Sequence, residues 1–158
     1  MTAEIICVGT ELLLGNIVNT NAAFLSEKLA YLGINCYFQT VVGDNRDRLL
    51  SVINTALSRA DILIFSGGLG PTEDDLTKET VAEALGKKLI RDKWAEQEIA
   101  DYFALRGRIP TDNNWKQADV IEGCEILYNK NGTAPGIFVS EGEKTVILLP
   151  GPPLELKS

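Results

Sequence analysis

The chain of 158 residues contains no histidine. That excludes a serine or cysteine nucleophile activated by imidazole, and it excludes imidazole as a metal ligand. Any metal must then sit on oxygen, which favours Mg, Mn or a similar hard ion over structural zinc. Any general base must be Asp, Glu or a metal-activated water. Cysteine is scarce: Cys7, Cys36 and Cys124 are odd in number and lack metal-type spacing. Cys7 and Cys36 fall inside predicted strands, so they read as buried free thiols. No apolar run is long enough to span a bilayer. Met1 to Glu4 has no basic leader and Ile5 to Val8 is too short for a signal core, so a cytoplasmic location and no membrane partner are expected. Basic residues are outnumbered 22 to 15, and the net charge of −7 excludes the basic face that nonspecific nucleic-acid binding needs. What the chain does have is 45% hydrophobic residues, enough for one compact domain with a core.

The apolar residues alternate between strand and helix patterns. Glu4 to Val8 reads as a first buried strand. Asn19 to Leu32 reads as an amphipathic helix, with Ala22, Leu25, Leu29 and Leu32 at helical spacing and Gly33 closing it. Asn35 to Val42 reads as a second strand, and Asp44 as the cap of a helix through Leu49, Val52, Ile53 and Leu57. Asp61 to Phe65 is a third strand, followed by a glycine loop and a helix over Leu76–Leu85. Asp92 caps a further helix reaching about Leu105. This alternation predicts an α/β fold with a doubly wound, mostly parallel sheet. The pattern then changes. Gly107 to Asn114 is polar, Val120-Ile121 and Glu125 to Leu127 read as short strands, and Ile137 to Val139 and Thr145 to Leu149 flank a hairpin turn at Glu141-Gly142-Glu143. Pro150 to Pro153 ends the last strand as a further helix opens, so the domain is expected to be truncated at its C-terminal end.

The most informative stretch is Ser66-Gly67-Gly68-Leu69-Gly70-Pro71-Thr72-Glu73-Asp74-Asp75. Glycines where a strand hands over to a helix let a ligand approach bare backbone, and unpaired N–H groups there suit an anion such as phosphate. Two carboxylates in the same place repel phosphate unless a divalent cation lies between them. The segment therefore suggests a phosphate-plus-metal site. Gly9-Thr10-Glu11 and Pro150-Gly151-Pro152 also fall at strand carboxyl ends, where open α/β sheets bind ligands; the Asn131–Gly136 loop is a fourth candidate. Each has a plainer reading. The glycines suit a tight connection, Asp74 and Asp75 suit helix capping, Glu11 suits a solvated loop, and the other two segments suit structural turns. The G-x-G-x-x-G fingerprint is absent after the first strand, which disfavours a dinucleotide-binding Rossmann site.

Several segments together carry a resemblance. Val8 to Gly15, Asn19-Thr20-Asn21, Ser66 to Thr77, Asn113-Asn114 with Lys116-Gln117-Ala118, Gly132 to Gly136 and Leu149 to Pro153 resemble the amino-terminal domain of the CinA family, in the molybdopterin-binding superfamily of MoaB and MogA. Trp115 and Tyr128 to Asn131 are less typical of the pattern. The resemblance implies a three-layer α/β/α fold and hydrolysis of a nucleotide sugar, ADP-ribose, to AMP and ribose 5-phosphate with Mg, Mn or Co. It implies that Asp75, helped by Asp74, holds the metal. Backbone N–H groups of Gly67, Gly68, Gly70 and Thr72 would take the pyrophosphate, and Asn19, Asn21, Thr133 and Gly151 would contact nucleotide or sugar. Glu11 is the candidate to orient or deprotonate the attacking water. The alternatives are a molybdopterin-binding or adenylyl-transfer protein of molybdenum cofactor biosynthesis and a noncatalytic nucleotide-binding module. A homo-oligomer is expected. Family members commonly continue into a carboxyl-terminal nicotinamide-nucleotide amidase domain, which this chain is expected to lack.

Overall fold

The computed structural model describes residues 1–158. In chain order the first half holds β1 (Thr2–Val8), α1 (Thr10–Leu13), α2 (Thr20–Tyr31), β2 (Asn35–Val42), α3 (Arg46–Arg59), β3 (Ile62–Ser66) and α4 (Thr77–Ala84). The second half holds β4 (Leu89–Arg91), α5 (Lys93–Ala104), α6 (Asp112–Trp115), a 3-10 turn (Lys116–Ala118), β5 (Asp119–Ile121), β6 (Glu125–Leu127), β7 (Gly136–Glu141), β8 (Lys144–Leu149) and α7 (Pro153–Leu156). The main sheet has the order β2-β1-β3-β8-β7-β6. Its first four strands run parallel; β7 pairs antiparallel with β8, and β6 antiparallel with β7, which returns β6 to the common direction.

Both faces of this sheet are covered, which is why its central strands read as unbroken apolar runs. Along β1 the side chains alternate between two cores. Ala3, Ile5 and Cys7 pack with Ala22, Leu25 and Leu29 of α2 and Leu156 of α7. Ile6 and Val8 pack with Leu49 and Ile53 of α3 and Val81 of α4. Cys7 is buried, and burial raises its thiol pKa, consistent with an inert structural cysteine. The result is the three-layer α/β/α arrangement. No helix is long and apolar enough to cross a membrane.

Two local expectations change, and one unread segment proves to be a strand. Asp44 does not cap α3; Asn45 does, its side chain accepting from Arg48 N–H at 3.1 Å. Leu89–Arg91 forms a strand that pairs antiparallel with β5 in a separate two-stranded sheet, too short to have a readable period. The polar stretch before Lys116 folds into α6, whose entry is closed by Thr111 N–H donating to Asn114 Oδ1 at 2.9 Å. The expected cap at Asp92 is in place, accepting from Ala95 N–H, while Asn19, read as the first residue of its helix, stands one position earlier as the cap of α2 and accepts from Ala22 N–H.

Candidate functional site

The chain leaves β1 for β2 on one side and returns to β3 on the other, so the sheet reverses direction between β1 and β3. Ligands of open α/β sheets bind outside the strand carboxyl ends at such a point. A cavity of about 530 Å3 lies there. Gly9 and Glu11 reach it from β1, Asp44 from β2, the Ser66–Gly70 loop with Asp74 and Asp75 from β3, and Gly151 from β8. Asn19 and Asn21, at the start of α2, complete the wall. Asp75, Asp74, Glu11, Gly67, Gly68, Gly70, Thr72, Asn19, Asn21 and Gly151 are thus gathered from four separated segments into one place.

The loop after β3 needs its first two glycines for space and conformation. Gly67 has φ 102 and Gly68 φ 69, a region costly for other residues. A Cβ on Gly67 would collide with the Val8 carbonyl oxygen, and one on Gly68 with Thr77 Oγ1. Not every N–H of the loop faces a ligand. Gly67 N–H donates to Leu149 O at 3.1 Å, Thr72 N–H donates to Asp75 Oδ2 at 3.0 Å, and Pro71 has none. The expected cradle over Gly67–Thr72 therefore narrows to the N–H groups of Gly68, Leu69 and Gly70, which donate to no protein acceptor. The helix terminus adds little to it, because the Thr77 N–H that opens α4 is closed on Gly68 O at 3.1 Å.

Capping does not explain the two aspartates. The N-cap position of α4 is Leu76, with no side-chain cap bond. Asp75 instead folds back over Gly70 and accepts from Thr72 N–H and, at 2.5 Å, from Thr72 Oγ1–H, both at Oδ2. Its Oδ1, and the carboxylates of Asp74 and Glu11, accept no protein hydrogen bond. Asp44 is a fourth acid in the wall. Its Oδ2 accepts from Thr10 N–H at 2.9 Å and Thr10 Oγ1–H at 2.8 Å, leaving Oδ1 free. Among the 21 lining residues there is no Lys, no Arg and no aromatic side chain. The four acids do not form a ready-made cage, since no three of them converge. They are hard oxygen donors, which suits a cation held by one or two carboxylates plus ligand phosphate and water.

Asn21 ties the walls together. Its Nδ2 donates to Ser66 Oγ at 2.8 Å and to Gly151 O at 2.7 Å, and its Oδ1 is buried with no partner. The placement of Thr133 is a correction. It does not line the cavity; its hydroxyl donates to Gln117 Oε1 at 2.8 Å, and it faces a second hollow beside Trp94 and Tyr128. The short Gly132–Gly136 loop fixed no strand context in the sequence, so its side of the sheet could not be read. Asp44, read from the sequence as a helix cap, is instead a wall residue of the cavity. Its position directly after Val42-Gly43, at the carboxyl end of a parallel strand, was the available signal.

The order of strands and the glycine loop with its acids define a class: an α/β domain that gathers carboxylates around a backbone N–H cradle at the sheet's switch point. The family described as "Probable molybdopterin binding domain" matches residues 4–158. A protein of Bacillus cereus (strain B4264), named "Putative competence-damage inducible protein", is 60% identical over 157 residues. That match covers 99% of this chain but 38% of the relative, so the chain spans well under half the length of such relatives. The solved structure of CinA, a protein of unknown function from Thermoplasma acidophilum, superposes with a TM-score of 0.92 at 38% identity, covering 99% of this chain and 93% of that one. The molybdopterin biosynthesis enzyme MoaB of Thermus thermophilus shares the fold, with a TM-score of 0.64 at 18% identity over 99% of this chain and 84% of that one. The chain belongs to the molybdopterin-binding-domain family and, within it, matches the amino-terminal domain of CinA.

Proposed function

We propose that the cavity binds the diphosphate of a nucleotide sugar through a divalent cation and hydrolyses it, with ADP-ribose as substrate. One observation supports this above the others: four carboxylates and no cationic side chain surround a cradle of three unpaired N–H groups. N–H groups attract phosphate, and four uncompensated acids repel it. A hard cation resolves the conflict, and nothing else among the lining residues does. Asp74 and the free Oδ1 of Asp75 are its ligands, with Asp44 Oδ1 in reserve. The bound cation supplies charge neutralisation at the phosphate oxygens as the P–O bond breaks.

The remaining steps belong to the chain's own groups. The N–H groups of Gly68, Leu69 and Gly70 hold phosphate oxygens and gain strength as charge builds on them. Glu11, whose carboxylate has no partner, takes a proton from the attacking water. The water oxygen bonds to one phosphorus, and the bridging oxygen leaves with the electron pair on the other phosphate, giving AMP and ribose 5-phosphate. Asn21, whose Nδ2 donates to Ser66 Oγ and Gly151 O, holds the ends of β3 and β8 together at the cavity wall.

A second reading has its own support. The family description names molybdopterin binding, so a pterin bound, or adenylylated, in the same cavity is the alternative. A substrate panel separates the two. ADP-ribose, NAD, FAD and a pterin are each incubated with Mg, Mn and Co, and products are read by mass. We expect AMP and ribose 5-phosphate from ADP-ribose alone. Pterin adenylylation, or binding of pterin without any turnover of ADP-ribose, would replace hydrolysis with the second reading.

A further inference from the structure

The cradle's three N–H groups point into the cavity because three carbonyls are tied behind it. In a trans peptide the C=O of one residue and the N–H of the next point in opposite directions. Gly67 O accepts from Thr77 Oγ1–H at 2.9 Å, which turns the Gly68 N–H the other way. Gly68 O accepts from Thr77 N–H, which turns the Leu69 N–H. Leu69 O accepts from Gln117 Nε2–H at 3.3 Å, which turns the Gly70 N–H. Gln117 is buried, and its Oε1 is occupied by Thr133 Oγ1–H, so its amide is fixed with the donor end towards Leu69. The neighbouring Lys116 does the same for the acid turn. Its ammonium donates to Thr72 O at 3.1 Å and Asp75 O at 2.8 Å, and pairs with Glu79 Oε1 at 3.3 Å. Lys116 does not line the cavity.

The brace is itself anchored. Lys78, buried in α4, donates to Lys116 O at 2.8 Å and Asp119 O at 2.7 Å. Lysines are almost never this buried without such partners.

We propose that Lys116 and Gln117 are positioning residues for the cavity. They hold the carbonyls of Leu69, Thr72 and Asp75 behind the loop, so that the loop's N–H groups and the Asp74–Asp75 carboxylates face the ligand. Neither side chain touches the ligand. This rests on reading the cavity as a phosphate site, but its first test does not need that reading. The misplaced Thr133 finds its role here, as the group that orients the Gln117 amide.

The experiment uses the full chain with Gln117→Met, Lys116→Met and Lys116→Arg, comparing exchange of the bonded loop amides Thr72, Asp75 and Thr77 with that of β1, β3 and β8. Calorimetric affinity for inorganic pyrophosphate with Mg is measured alongside. Both methionine variants should speed exchange of the bonded amides Thr72, Asp75 and Thr77 about tenfold and weaken pyrophosphate binding about tenfold, while the sheet amides stay protected. Lys116→Arg should restore most of both, because it keeps the donors and the charge. Loop exchange at the wild-type rate in folded methionine variants overturns the proposal. So does exchange that rises equally in loop and sheet, which marks general destabilisation. If Gln117→Met does not fold, Lys116→Met decides by the same criteria. If the wild-type protein binds no pyrophosphate with Mg, the phosphate reading falls, while loop exchange still decides whether the brace exists.

Discussion

Glu4 and Asp75 lie at opposite ends of the parallel sheet, and the same chemical group is treated in opposite ways. Glu4, near the start of β1, is fully buried, yet its carboxylate is saturated: Arg59 Nε–H and Nη2–H donate to it at 2.8 Å each, and Thr40 Oγ1–H at 2.8 Å. The Glu4 contact in turn raises the Arg59 pKa, and the guanidinium stacks on Phe38 at 3.6 Å. At the carboxyl end, Asp75, Asp74, Glu11 and Asp44 share a cavity with no cationic side chain at all. A fold that satisfies a carboxylate completely at one end is able to do so. Leaving four of them without a counter-charge at the other end is best explained by a partner that arrives with the ligand.

The contrast predicts different failures at the two ends. The largest effect is expected for Arg59→Met, which strands the Glu4 carboxylate in the core. Denaturant unfolding should show a clear loss of stability, because Glu4 is fully buried and Arg59, itself partly exposed, is its only cationic partner. The double variant Glu4→Leu with Arg59→Met should recover much of it. If the single variant loses under about 1 kcal/mol, Glu4 is reached by water and the two ends differ less than argued.

At the other end Asp75→Asn should leave the fold nearly unchanged, because asparagine keeps an acceptor for Thr72 N–H and Thr72 Oγ1–H. ADP-ribose turnover should nevertheless fall by roughly 10²-fold in kcat/KM, comparable to losing one preorganised electrostatic contact in a transition state. High cation concentration should restore part of the rate, and Asp74→Asn should cost less. Wild-type melting together with wild-type turnover would reduce Asp75 to a turn residue.

The two ends also differ in how far the sequence exposed them. β1 and β3 were readable because strands covered on both faces become continuous apolar runs, and Asp92 followed a capping rule that depends only on near neighbours. Glu11, Gly67 and Gly151 were readable as cavity residues because each lies just past the carboxyl end of a parallel strand. What escaped depends on contacts distant in sequence. Asp44 looked like a cap because its hydrogen bonds to Thr10, 34 residues away, leave no local trace. Thr133 looked like a ligand contact because its hydrogen bond to Gln117, 16 residues away, leaves no local trace. The narrowing of the cradle to three N–H groups required knowing that Leu149 O and Asp75 Oδ2 take the others.

The most direct test of the central claim is calorimetric titration of ADP-ribose into the protein with Mg and, separately, after exhaustive chelation. With Mg, binding should be measurable and should strengthen as Mg rises. After chelation it should vanish, because the anion would then meet four carboxylates with only three N–H groups to oppose them. Equal affinity in both conditions would contradict the claim that these acids are held in place for a cation.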